Sequence, residues 1–228
     1  MNKSLVLMLG HKSMSGKDHF FSLSKSEFGF QRLAFADRLK SVVADLYNFS
    51  HDQMHGNLKD VMDERYPNYK DPKTLIEWEE DDYGPMVGLE GYSKEVPNPD
   101  YKPLLTPRRI LQIFGQDQRS LFADIWASYV FNVEIPRLQA LGHNKFIVTD
   151  FRFKNEASVA LKWANKHSDS FDLKFVKINR PSVTAKTAAG DISENDLNDF
   201  QSWHHIIEND STLEVYESRV IEFLKTLS

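Results

Sequence analysis

The sequence contains no cysteine, which excludes disulfide frameworks and thiolate zinc sites and fits a reducing compartment. It has no excess of positive charge. Lys and Arg number 28 against 33 Asp and Glu, a formal net charge of −5, so no global basic field exists to hold a nucleic-acid polymer. No apolar run is long enough to span a bilayer, and no internal repeat or low-complexity tract occurs. Lys3 precedes an apolar run that is short and leads at once into a loop, so that run is expected to be a strand rather than a signal peptide. What remains is a chain of 228 residues, 41% of them hydrophobic. That composition suits a soluble globular protein with one sizeable domain, or one domain carrying an insertion.

The most informative stretch is Leu5-Val-Leu-Met-Leu-Gly10-His11-Lys12-Ser13-Met14-Ser15-Gly16-Lys17-Asp18-His19. An apolar strand feeds a loop of small and basic residues that closes on Ser-Gly-Lys, the layout of a phosphate-binding loop that opens a helix. Such a loop wraps backbone N–H groups around a polyphosphate, and the helix N-terminus adds its positive dipole. Ser13, Ser15, Gly16, Lys17, Asp18 and His19 are therefore the expected phosphate-contacting set. Lys17 is placed to reach the terminal phosphates. Two details depart from the common pattern G-x-x-x-x-G-K-[ST]. The first glycine, Gly10, is one residue early, so either the loop holds an extra residue or His11 fills the first position. Asp18 stands where a metal-binding hydroxyl is usual, and its carboxylate is a candidate Mg²⁺ ligand.

The rest of the chain alternates strand and helix patterns. Strands are expected at Leu5 to Leu9, Phe30 to Phe35, Phe146 to Val148, Leu173 to Ile178 and His204 to Ile207. Helices are expected after Lys17, through Leu39 to Leu46, after Thr106-Pro107, over Asn155 to His167 and from about Thr212 to Leu227. Thr106 is a good N-cap and Pro107 a good first helical residue. Five strands joined by helical crossovers predict a mainly parallel sheet with helices on both faces, an α/β fold. Residues 51 to 105 read differently. Six prolines and the acidic run Glu77 to Asp82 mark an insertion with loops and short helices. The acidic run is expected to be a solvated face. The polar stretch 180 to 200, with Lys186, Thr187 and Gly190, is a candidate lid.

Phe146-Ile-Val-Thr-Asp150 supplies a second chemical element. Ligands collect beyond the C-terminal ends of parallel strands, and an aspartate there is placed to hold Mg²⁺. Arg152, two residues on, projects to the same side if the chain stays extended. Phe114, Phe122, Trp126 and Phe131 form a stripe expected to be core, and Asp37 is expected to cap the helix that follows it.

These pieces together resemble the deoxynucleoside monophosphate kinases of tailed bacteriophages. The resemblance rests on Gly16-Lys17-Asp18, Phe35-Ala-Asp37-Arg38-Leu39-Lys40, Asp150-Phe-Arg152-Phe-Lys-Asn-Glu156, and Thr106-Pro-Arg108-Arg109-Ile-Leu-Gln112 followed by Gly115, Asp117 and Arg119. Ser193-Glu194 and Ile206 to Ser211 extend it, and residues 51 to 105 lie outside it. His19 replaces a frequent threonine and Arg38 a frequent proline. The resemblance implies a P-loop kinase of a single domain that transfers the ATP γ-phosphoryl group to a deoxynucleoside monophosphate. Mg²⁺ would be the cofactor, with Asp18 and Asp150 as its ligands. Lys17, Arg119 and Arg152 would serve catalysis. Asp37, Lys40, Arg108, Arg109, Gln112, Asp117, Arg119 and Arg152 would surround the acceptor, and Gln116 would join Gln112 and Asp117 near its base. Arg180 would act from the lid and Asn209 near the adenine. The partners implied are ATP and the deoxynucleotide, with neither nucleic-acid polymer nor membrane, in the cytoplasm of a host bacterium; assembly as a homodimer is left open. Three other readings remain: a phosphomevalonate-type kinase, a kinase of a hydroxyl acceptor such as a nucleoside or dephospho-coenzyme A with Asp37 as base, and a nucleotide-binding regulator without catalysis.

Overall fold

A computed structural model describes residues 3–10, 12–79, 92–183 and 195–227. The chain forms two compact units, Met1–Val42 with Gln116–Ser228, and Val43–Gly115.

The first unit is built on a five-stranded sheet in the order β2-β5-β1-β6-β7. Its strands are β1 (Ser4–Gly10), β2 (Gln31–Leu33), β5 (Lys145–Phe151), β6 (Phe171–Asn179) and β7 (His205–Glu208). All four neighbouring pairs are parallel, so the expected α/β architecture is present. Every residue of β1 is buried. The strand therefore reads as an unbroken apolar run instead of an alternating one, because both faces of a parallel sheet are covered. Leu5, Leu7, Leu9, Ile147, Val176, Ile178 and Ile207 pack on one face with Phe20 of α1 (Lys17–Phe28) and with Tyr216, Val220, Phe223 and Leu224 of the last helix, α8 (Leu213–Lys225). On the other face, Phe131 packs against Trp163 of α7 (Lys154–Lys166), and Trp163 against Phe171 of β6.

Several boundaries differ from the sequence expectation for identifiable reasons. β2 stops at Leu33, and Phe35 begins helix α2 (Phe35–Tyr47). The Asp150 carboxylate accepts hydrogen bonds from the backbone N–H groups of Phe35 (2.8 Å) and Ala36 (3.0 Å). Asp150 thus caps α2, and Asp37, expected in that role, pairs instead with Arg32 at 2.6 Å. The aromatic stripe is also broken. Helix α4 (Pro107–Leu121) ends before Phe122, which is 52% exposed, while Trp126 and Phe131 are core. Beyond it run α5 (Ile125–Tyr129), a π-helical stretch (Val130–Glu134) and α6 (Ile135–Ala140).

The second unit contains α3 (His51–His55), a 3-10 turn (Asn57–Asp60) and an antiparallel hairpin of β3 (Thr74–Glu79) and β4 (Tyr92–Pro97). The hairpin lay hidden in the sequence behind its prolines and acidic residues. Ser50 and Gln53 make a reciprocal capping box at α3, and Thr106 accepts from the backbone N–H of Arg109 at 3.1 Å as the N-cap expected of it. Residues 80 to 82 of the acidic run lie outside the described residues, as do His11, Lys186, Thr187, Gly190, Ser193 and Glu194. Among the described residues, no helix is long and apolar enough to cross a membrane.

The end of β1 is tightly enclosed. A Cβ on Gly10 would lie 2.4 Å from the Trp203 ring and 2.8 Å from that of Phe151. Both rings belong to an aromatic group packed tilted and edge to face with Phe175 and Phe200, so neither can withdraw cheaply. Gly10→Ala is expected to destabilise the protein by about 1–3 kcal/mol, a typical penalty for overpacking. Thermal unfolding checks this; an unchanged midpoint would show that the rings yield.

Candidate functional site

Between β1 and α1 the chain makes the turn foreseen from Ser15-Gly16-Lys17. Gly16 adopts φ 113°, ψ 10°, a left-handed conformation that glycine reaches without a Cβ clash. Met14 also has a positive φ, 58°. Four carbonyl oxygens of the loop accept hydrogen bonds from side chains. Lys17 Nζ donates to that of Lys12, Arg180 to that of Met14 at 3.2 Å, Asn209 to that of Ser15 at 2.8 Å and Tyr216 to that of Gly16 at 3.0 Å. Ser15 is buried, and its hydroxyl accepts from Lys17 Nζ at 3.3 Å. With these carbonyls committed, the polarity that the loop presents to a ligand is mainly that of its N–H groups.

A cavity of about 630 Å³ opens over the loop. Six cationic side chains line it: Lys17, Arg32, Lys40, Arg119, Arg152 and Arg180. Its acidic side chains are Asp18, Asp37, Asp150 and Glu156, and two of these four hold their protons more tightly than usual. Burial pushes the Asp150 carboxyl above its ordinary range, against the two amide hydrogen bonds that favour its ionised form. Glu156 is pushed up to about 8, first by burial and then by the nearby Asp150. A cavity lined by six cations and four carboxyls, one of which is pushed up to about 8, attracts anions. Arg119 is further held over the ring of Phe153, 5.7 Å from its centroid, as a cation–π pair.

Most of the expected residues meet here. Ser13, Gly16, Lys17, Asp18, His19, Asp37, Lys40, Arg119, Asp150, Arg152 and Arg180 all line this cavity. Ser15 lies beneath it. Asn209, expected near an adenine, reaches the loop from the rear. Arg108, Arg109 and Gln112 line a second cavity, of about 600 Å³, within the other unit. There Arg108 binds Asp60 through two hydrogen bonds of 2.6 and 3.0 Å, and Arg109 binds Asp71 in the same forked way. These bonds hold both aspartates below the usual carboxylate range. Asp117 and Gln116 are exposed and line neither cavity.

Three contributors escaped the sequence reading. Arg32 is a lone basic residue on a short strand, with nothing to distinguish it. Tyr216 looks like one more apolar position of the last helix. Glu156 did carry a signal. It stands three residues after Phe153 at a helix start, where a glutamate caps by reaching back, and its Oε2 accepts from the backbone N–H groups of Arg152 (2.9 Å) and Phe153 (3.0 Å).

Glu156 also generates a pH dependence. The unfolded chain would ionise it near 4.5, whereas the folded protein keeps the proton to about 8. Between those values the unfolded state binds fewer protons, so this group makes stability fall as pH rises through the window. Glu156→Gln keeps an acceptor oxygen and removes the titration. Its melting temperature relative to wild type is therefore expected to climb from about pH 5 to about pH 8. A difference that stays flat with pH would refute the buried, proton-bearing state.

No protein-family model matches the chain. A protein of Acanthamoeba polyphaga mimivirus, described as "Putative deoxynucleotide monophosphate kinase", is 23% identical over 226 residues, which cover 98% of this chain and 97% of that one. Among solved structures, dephospho-CoA kinase from Campylobacter jejuni aligns with a TM-score of 0.49 and 12% identity, over 100% of this chain and 98% of that one.

Proposed function

We propose that this protein is an ATP-dependent P-loop kinase that transfers the γ-phosphoryl group to a small phosphorylated acceptor, and that the acceptor is a deoxynucleoside 5′-monophosphate. The observation that carries the first part is the cavity itself: six cations around a strand-turn-helix loop in a chain whose net charge is −5. The second part is supported by the order of motifs along the chain and by the name of the mimivirus relative, which aligns over nearly its whole length.

Phosphoryl transfer to a phosphate needs little covalent help from the protein. Its oxygen nucleophile is already ionised, so the demand is for alignment and for neutralising charge as it spreads in the transition state. The bond from the γ-phosphorus to its bridging oxygen breaks, a bond to the acceptor oxygen forms, and ADP leaves with the deoxynucleoside diphosphate. Lys17 holds the terminal phosphates at the loop. Arg119 and Arg152 bridge donor and acceptor phosphates as planar forks, which lysine cannot imitate. Arg180 closes on the donor side, and Asp37 with Lys40 borders the acceptor.

Mg²⁺ usually binds through one or two carboxylates plus substrate phosphates, and the donor set fits. Asp18 and Asp150 both line the cavity with Lys17, while no group of three or more candidate ligands occurs among the described residues. When bound, the ion supplies further charge neutralisation. The hydroxyl-acceptor reading is less well supported, because a hydroxyl benefits from a carboxylate base and Asp37 is ion-paired with Arg32.

The test is ADP release from ATP and Mg²⁺ with each deoxynucleoside monophosphate in turn, alongside phosphomevalonate, dephospho-coenzyme A and nucleosides. Release is expected with one or more deoxynucleotides, falling by a factor on the order of a hundred or more in Lys17→Ala, the scale of one lost electrostatic stabiliser. Turnover with another acceptor alone would retain the kinase and replace the substrate. Tight ATP binding without turnover on any acceptor would leave a regulator.

A further inference from the structure

Two of the four side chains that hold the loop carbonyls come from the far end of the chain. Asn209 follows β7 and Tyr216 sits in the first turn of α8. Their targets are consecutive, the carbonyls of Ser15 and Gly16. In a trans peptide the C=O and N–H of one plane point in opposite directions. Drawing these two carbonyls to the rear therefore turns the N–H groups of Gly16 and Lys17 forward, and both residues line the cavity. From this geometry we infer that Asn209 and Tyr216 are positioning residues for polyphosphate binding: they set the peptide planes of the loop from behind and touch no ligand themselves. The inference rests on the reading of this loop as the ATP phosphate site, and it gives that site two residues outside the loop's own motif.

The fit behind the loop is close. A Cβ on Gly16 would lie 2.7 Å from Asn209 Nδ2 and 3.2 Å from the Tyr216 hydroxyl, so glycine is needed there for space as well as for its positive φ. Tyr216 is 1% exposed, and its hydroxyl donates to the Gly16 carbonyl. A buried phenol without a partner would be costly, so the hydroxyl and the loop conformation favour each other.

Both props are themselves braced. The backbone N–H of Asn209 donates to Asn179 at 2.7 Å. Arg219 of α8 donates to the Glu208 carbonyl and to Asp210, each at 2.7 Å, closing the turn that carries Asn209. Glu217, next to Tyr216, meets His19 Nε2 at 2.8 Å and ties the first turn of α1 to α8. The loop is thus clamped between the first helix and the last.

The experiment is calorimetric titration with inorganic tripolyphosphate, a probe of the loop without a base or sugar. It uses wild type, Tyr216→Phe, Asn209→Ala and, as a core control, Phe223→Leu. Phe223 lies in the same helix and packs on Phe20 without reaching the loop. Tyr216→Phe and Asn209→Ala are each expected to weaken tripolyphosphate binding roughly three- to tenfold, the effect of one neutral hydrogen bond. Phe223→Leu is expected to lower the melting temperature and leave the affinity unchanged. Variants that bind as tightly as wild type would overturn the inference alone, as would an equal loss in Phe223→Leu, which would mark a general stability effect. A wild-type protein that binds no tripolyphosphate would overturn the phosphate-loop reading and this inference with it.

Discussion

The first unit depends on a spatial constraint at one residue. Gly16 must turn the chain from β1 into α1 with φ 113°, against side chains that leave no room for a Cβ. Everything that meets there is supplied from a different part of the sheet. β1 delivers the loop because it is the central strand, bonded on one side to β5 and on the other to β6. β5 ends beside it and brings Asp150 and Arg152. β6 ends beside it and brings Arg180. β7 and α8 bring the residues behind. A parallel sheet places all these strand ends at one edge, which is why such folds gather ligands there.

Charge at the site follows from burial as much as from composition. Asp150 and Glu156 are acidic residues that hold their protons more tightly than usual, and both use carboxyl oxygens to accept backbone amides. Asp150 fixes the start of α2, the helix that carries Asp37 and Lys40. Glu156 fixes the backbone at Arg152. Glu156, held up to about 8, therefore braces the framework while adding little negative charge against the cations near neutral pH. An overall acidic protein can present an anion-attracting cavity because the field felt by a ligand is set by nearby, poorly screened groups, not by a distant sum.

The sequence announced this edge better than the remainder. Ser15-Gly16-Lys17, Asp150 and Arg152 are close in sequence to strands with strong apolar patterns, so their placement followed from local rules. The caps exchanged roles because capping at α2 is a long-range contact: Asp150 is 115 residues from Phe35, and no periodicity reveals it. Tyr216 was illegible for a similar reason, since its position in the apolar stripe of α8 explains it fully until the hydroxyl is seen on Gly16. In the 43–115 unit the difficulty was composition. Prolines and acidic residues lower strand propensity, and the β3–β4 pairing prevails over them. Ser50-x-x-Gln53, by contrast, is a capping box readable by eye.

The arginines of α4 make the last step. Arg119 lies in the cationic cavity and is held by the Phe153 ring, whereas Arg108 and Arg109 already hold carboxylates in forked pairs. A forked pair with a carboxylate has nearly the geometry of a pair with phosphate. Asp60 and the Arg108 side chain are largely solvent-exposed, and exposed pairs contribute only about 0–1 kcal/mol. Exchanging such a carboxylate for a phosphate therefore costs little, and the aspartate returns to water. Asp60 can thus keep the Arg108 guanidinium plane oriented while no phosphate is present without competing strongly once one arrives. An acidic partner on Arg108 is in this setting compatible with an anion binding at the cavity of the 43–115 unit.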